Sequence, residues 1–191
     1  MKTDDDIIHR FHAALPELRD WIDRLLDDYE GRARTISSFG FTRLAGCFSQ
    51  ELLDRAKAVA VDRVPFPPLD RFGLPELAGM QKMSFEGITF RDTFFLRKGR
   101  PSENVCVHEL VHVVQWDRLG VDNFLLAYGI GLLLFGYYGC PLEQMAYALE
   151  RDFKHGTLPP NLEHFIENRT DAVWKQAATV VMAGQNTPME L

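Results

Sequence analysis

Cysteine is scarce and poorly placed for cross-linking. The three residues, Cys47, Cys106 and Cys140, are odd in number, widely spaced and free of any CxxC pair. A disulfide framework is therefore not expected, and a reducing, cytoplasmic compartment fits this usage. Excess positive charge is also missing. With a net charge of −6 and no basic cluster, the chain lacks the surface that neutralises phosphates, which argues against a nucleic-acid partner. The amino terminus, Met1 to Asp6, is acidic and leads into an amphipathic helix, which is not the pattern of a signal peptide. Asn168-Arg169-Thr170 matches a glycosylation acceptor, but without secretion the match carries no meaning. What remains is ordinary globular material. The chain has 191 residues, 46% hydrophobic and 25% charged, enough for one domain with a real core.

Hydrophobic spacing divides the chain into four stretches. Residues 1–62 read as N-terminal helices. Leu18, Trp21, Ile22, Leu25, Leu26 and Tyr29 follow helical spacing between Pro16 and a stop near Gly31. A second helix is expected from Ser49, as N-cap, to about Val61, burying Leu52, Leu53, Ala56 and Val59. His9 and His12 precede these helices at a spacing other than i,i+4 and read as surface or staple residues. Residues 63–83 form a Pro-rich loop, where Pro65, Pro67, Pro68 and Pro75 exclude helix and central strand alike. A rigid connector is the simpler reading of this loop, and a wall of a substrate cleft is the functional one. Residues 84–154 hold a strand, Gly87 to Arg97, with Ile88, Phe90, Phe94 and Leu96 on one face. Asp92 interrupts that face, as an edge or bulged position would. Lys98-Gly99-Arg100 is then a turn, Ser102 caps the next helix, and Gly120 closes it. Residues 155–191 are C-terminal helical material, from Asn161 to about Gly184, and His155 and His164 read as surface or helix-end residues.

The helix opened by Ser102 carries Val105-Cys106-Val107-His108-Glu109-Leu110-Val111-His112-Val113-Val114. Histidines four apart lie on one helical face, so His108 and His112 can reach one metal ion. Glu109 can then stand beside a metal-activated water as general base without being a ligand. A hydrolytic site needs a third protein ligand. The metzincin ending would place Gly at 115 and His at 118, where this chain has Gln115 and Arg118. A glutamate on a later helix is the remaining common solution. Glu143, at the first turn of the helix opened by Pro141, is the better candidate, with Tyr147 and Glu150 on nearly the same face.

Between the two lies Asn123 to Leu142, a run without any charge that approaches the ~20 residues of a membrane span. A single span from 124 to 140 would carry Glu143 about 25 Å or more from His112. Zinc–ligand bonds are about 2 Å, so the span and the site exclude each other unless the chain folds back. The run is therefore read as hydrophobic backing for the site helices. This leaves no transmembrane span, but room for a peripheral membrane or partner contact through 124–140.

Glu143-Gln144-Met145-Ala146-Tyr147-Ala148 resembles the second-motif helix of the gluzincin metallopeptidases. Strand, His-Glu-x-x-His helix and glutamate helix occur here in the gluzincin order, over roughly residues 84 to 154. The resemblance implies an α+β, mainly helical, zincin-like domain with a small antiparallel sheet whose edge strand precedes the motif helix. It further implies one zinc ion per chain on His108, His112 and Glu143, Glu109 as general base, and a peptide or protein substrate. That substrate would pair with the strand near Arg91 to Leu96. Tyr147 departs from the pattern, because related families often place there an Asp that orients a histidine ligand. That duty would pass to Glu150 or a backbone carbonyl. Gln115, one turn beyond His112, is a further candidate for support behind the ligands, and Trp116 reads as packing. Tyr137, Tyr138, Tyr147 and His155 are candidate donors to a developing oxyanion.

Two rivals stand beside this reading. One is a non-catalytic zinc-binding or interaction protein, for which Glu109 would have no use. The other is a deformylase-like amide hydrolase, since Ala45-Gly46-Cys47-Phe48-Ser49 faintly resembles the cysteine-ligand motif of peptide deformylase.

Overall fold

Thr93, Phe94, Phe95 and Leu96 are consecutive and all buried, a pattern that only a strand covered on both faces can satisfy. In the computed structural model, which describes residues 4–98 and 102–185, this strand lies inside a four-stranded sheet with helical layers on either side. The strands are β1 (Arg34–Thr35), β2 (Lys57–Val61), β3 (Gly87–Phe90) and β4 (Thr93–Arg97), in spatial order β1-β2-β4-β3. β4 runs parallel to β2 and antiparallel to β3. The fold is mainly helical α+β, as expected, but its sheet is mixed rather than antiparallel.

The helices are α1 (Asp4–Tyr29), α2 (Thr42–Ala45), α3 (Gln50–Arg55), α4 (Glu103–Phe135), α5 (Pro141–His155) and α6 (Leu162–Gln185). α1 begins well before Pro16, so His9 and His12 lie on it rather than ahead of it. Ile8, Phe11, Leu15, Leu18 and Ile22 form its buried stripe. Pro16 sits on the exposed side, where water can solvate the carbonyl that its ring leaves unpaired. Ser49 caps α3, accepting from the Leu52 amide, but that helix ends at Arg55 and the predicted continuation to Val61 is β2. Alternating burial explains the misreading: Leu52, Leu53, Ala56 and Val59 are all buried, a set that satisfies helical spacing and strand alternation across the junction alike.

The expected single strand over 87–97 is a hairpin. Arg91 takes φ 55 at its turn, and Asp92, read as an edge or bulge, is the other turn residue. The turn splits the supposed common face. Ile88 and Phe90 share a side with Phe95, whereas Phe94 and Leu96 lie with Thr89 on the other. Phe90 and Phe95 pack edge-on against Trp21 and Tyr29 of α1. Phe94 and Leu96 join Val107, Leu110 and Val111 of α4. Each such buried side chain contributes about 1.5–3 kcal/mol, and the sheet has become the partition between two cores. The Pro-rich loop crosses above the first of them, with Leu69 and Leu74 buried, and ends in 3-10 turns over Pro75–Lys82. The predicted turn at 98–100 falls mostly outside the described residues.

Ser102 caps α4 by accepting from the Val105 amide at 3.3 Å. Gly120 does interrupt this helix, at φ 70 and ψ 173, but a second helical segment starts at once and reaches Phe135. Among the described residues α4 alone has the length and apolarity of a membrane span. Its backbone breaks at the middle, however, and after Gly136 the chain turns through Tyr137–Gly139 and re-enters as α5. The fold-back that the separation argument required is thus present. Residues 124–132 are largely buried as backing, while Leu134, Phe135 and Tyr138 stand exposed at the turn. Gly120 holds a backbone conformation that side chains tolerate only under strain. Gly120→Ala should therefore lower the stability by about 1–3 kcal/mol; an unchanged urea midpoint would show that the break is not needed.

Candidate metal centre

The first half of α4 and the first turn of α5 bring His108, His112 and Glu143 together. One donor atom from each lies within 4.8 Å of the others, and all three residues are buried. The two imidazole Nε2 atoms are 3.2 Å apart. Glu143 Oε2 lies 3.4 Å from His108 Nε2, and Oε1 lies 3.4 Å from His112 Nε2. Helical spacing explains the histidine pair. The glutamate reaches them because Pro141 starts α5 directly after the chain reversal.

The tautomer of His112 follows from its neighbours. Gln115, fully buried, donates its Nε2 to the Leu142 carbonyl at 3.2 Å. Its Oε1 therefore faces His112 Nδ1, 2.8 Å away, so Nδ1 carries the proton and Nε2 presents a lone pair to the cluster. Gln115 thus orients one ligand and ties α4 to the residue preceding Glu143. Its place one turn beyond His112 was the signal in the sequence. Tyr128, which the sequence did not single out, donates to Glu143 Oε1 at 2.6 Å. Glu143 Oε2 is buried without a hydrogen-bond partner, and so is His108 Nδ1. A buried carboxylate oxygen costs stability when left unpaired, and a cation beside Oε2 supplies what is missing. The donor set fits a metal ion.

Charge in the cluster follows from the same contacts. Burial works against a charged His108, but the Glu143 and Glu150 carboxylates outweigh it and raise the imidazole to about 10. Burial likewise works against ionised Glu143, yet the two imidazoles hold it well below the usual carboxylate range. Proton and metal thus compete for the His108 lone pair. Glu109 differs: its burial pushes the carboxyl up, against the pull of both histidines.

Glu109 reaches to β3. Its Oε2 accepts from Thr89 Oγ1 at 2.6 Å. At Gly87 any side chain would overlap the Glu109 carboxylate, so the absent Cβ is what lets strand and acid approach. Neither Thr89 nor Gly87 could be singled out in the sequence, because their role depends on how the hairpin docks.

The other candidates separate. Glu150 lies outside the cluster of donor atoms. Its Oε2 stops 3.6 Å from His108 Nδ1, while its Oε1 accepts from Lys154 at 2.6 Å. Tyr147 packs edge-on against the His108 ring, centroids 4.5 Å apart, and its hydroxyl meets that of Tyr137 at 3.2 Å. Tyr138 is exposed. His155, twelve residues beyond Glu143 on the same helix, is about 18 Å away along the axis. Cys47 is not in the donor cluster and packs against the core on the α4 side of the sheet. Burial also pushes Cys106 up to about 12 and Cys140 to about 11, so both remain thiols at neutral pH. Trp116 does more than pack, since its Nε1 donates to the Thr89 carbonyl at 3.2 Å.

The Pro-rich loop is a wall of the cleft rather than a remote connector. Phe66, Pro67 and Leu69 line a cavity that also borders His108, Glu109, His112 and Glu143. The chain matches no protein-family model, no curated protein and no solved structure. Replacing Gln115 by Leu should weaken metal affinity by about 10–100-fold, read by competition with a chromophoric chelator. Gln115→Glu, which keeps the acceptor, should weaken it less.

Proposed function

We propose that this chain is a zinc-dependent hydrolase, most simply a peptidase of gluzincin type. The observation that carries the reading is the spacing of the donors. Four-coordinate zinc with bonds of about 2.0–2.2 Å has ligands roughly 3.3–3.5 Å apart. The two imidazole Nε2 atoms are 3.2 Å apart, and each lies 3.4 Å from one of the two Glu143 oxygens, His108 from Oε2 and His112 from Oε1. His108, His112 and Glu143 would hold the ion. When bound, zinc supplies a Lewis acid that polarises a carbonyl and acidifies water.

The protein's own groups supply the rest. Glu109, buried and raised in pKa, suits a base that takes a proton from the attacking water and later passes it to the leaving amine. Thr89 holds its carboxylate in place while leaving Oε1 free of that bond. β4 is central in the sheet, so the stretch Arg91 to Leu96 cannot pair with a substrate backbone. β3 is the edge strand that can do so. Trp116 already occupies the Thr89 carbonyl, which confines such pairing to the neighbourhood of Gly87. Tyr137 and Tyr147 are the remaining candidates for a donor to the oxyanion.

A metal site without catalysis is the second reading, and Glu109 argues against it, because a structural ion needs no base. The deformylase-like reading loses its ligand with Cys47 outside the cluster. Metal analysis of purified protein should find one zinc per chain, lost in Glu143→Ala; a metal-free wild type would sink the proposal. Glu109→Gln should keep the metal and lower cleavage of a peptide library by about 10²–10⁴-fold. Metal without any cleavage by the wild type would favour the non-catalytic reading.

A further inference from the structure

Two spaces meet at the metal centre. The inner one, about 90 Å³, runs from His108, Glu109 and His112 into the core, where Phe11, Leu77 and Phe124 wall it. The outer one, about 360 Å³, lies beside Glu86, Glu150 and Lys154. Gly87, His108, Glu109 and Tyr137 border both. A bond cleaved at that border has one substituent directed inward and the remainder of the molecule outward.

The inner walls offer a peptide amide little. Apart from the metal donors and Glu109, the polar side chains lining them are Thr89, Trp116, Tyr128 and Tyr137. Each already makes one hydrogen bond within the protein: Thr89 with Glu109, Trp116 with the Thr89 carbonyl, Tyr128 with Glu143, Tyr137 with Tyr147. Burying an unpaired amide costs roughly 1–3 kcal/mol or more, so the space favours an apolar substituent. Its size sets a second limit. An apolar cavity of about 150 Å³ accepts benzene, so about 90 Å³ holds some three or four carbons by the same scale.

Resting on the hydrolase reading, we propose that the substrate carries a short branched aliphatic side chain beside the scissile bond. This side chain fills the inner cavity, and Phe11 limits its size. The Phe11 ring is wedged against Gly129, where an added Cβ would overlap it, so the ring cannot retreat to enlarge the space. Phe11, Leu18, Phe66 and Leu69 all lie outside residues 84–154. Part of the selecting wall therefore comes from α1 and the Pro-rich loop, the parts of the chain with no counterpart in the gluzincin resemblance.

The test is calorimetric binding of three hydroxamic acids to the zinc-loaded full chain: isovalero-, phenylaceto- and octanohydroxamic acid. The isovaleryl compound should bind at least about tenfold tighter than the other two, a difference of about 1.4 kcal/mol. Phe11→Ala should reduce its advantage over the phenylacetyl compound to about twofold or less. Leu77→Ala opens the cavity from another wall and replaces Phe11→Ala if that variant does not fold. Equal affinities in the wild type, no binding of any compound, or an unchanged ratio in a folded variant would overturn the proposal. In the metal-free protein, isovaleramide should shift the methyl NMR signals of Leu69 and Leu77, and phenylacetamide should not. Size selection without peptide cleavage would remove the hydrolase reading and leave the cavity assignment standing; cleavage without size selection would do the reverse.

Discussion

His108, Glu109, His112 and Glu143 are each no more than 7% exposed, on helices whose other neighbours are apolar. Groups buried this far are costly unless they are paired, and the surrounding architecture supplies partners for them. Gln115 partners His112, Thr89 partners Glu109, and Tyr128 partners one oxygen of Glu143. The sheet edge, the second half of α4 and the start of α5 are thereby held against one another by buried polar contacts. Two atoms, Glu143 Oε2 and His108 Nδ1, remain unpaired. A cation answers the first directly. The second lies just beyond hydrogen-bond reach of Glu150.

This arrangement also reconciles the length of the apolar run with the site. Asn123 to Leu142 contains no charge, which by composition alone suits lipid as well as protein. What decides is that Gly120 breaks α4 and the chain reverses after Gly136. The second segment then turns Tyr128 toward Glu143 and places Phe124 and Gly129 on the wall of the inner cavity. The run is accordingly part of the cleft, and only its turn, at Leu134, Phe135 and Tyr138, is left uncovered.

Tyr147 is where the chain departs from the gluzincin pattern it resembles. No acid stands there to orient a histidine. Instead His112 is oriented from its own helix by Gln115, and His108 is bounded by the Tyr147 ring with Glu150 behind. The orienting contact comes from the histidine helix itself, where i,i+3 geometry supplies it.

Local rules were enough for much of this. The i,i+4 histidines, Glu109 between them, Ser102 and Ser49 as caps, the break at Gly120 and the helix after Pro141 all depend on residues within a turn or two of one another, and periodicity reads such neighbours directly. Glu143 was reachable because few glutamates follow the motif. The errors occurred where burial on both sides erased the pattern. Val59 continued a helical stripe although it lies on β2, and the hairpin at Arg91 and Asp92 looked like one interrupted strand because β4 is apolar on both faces. Tertiary structure alone decided that Thr89 and Gly87 cradle Glu109, that Tyr128 braces Glu143, and that Phe66 and Phe11 face the cleft. Those contacts join residues fifteen to more than a hundred positions apart, and no local preference of the chain records which distant surfaces will meet.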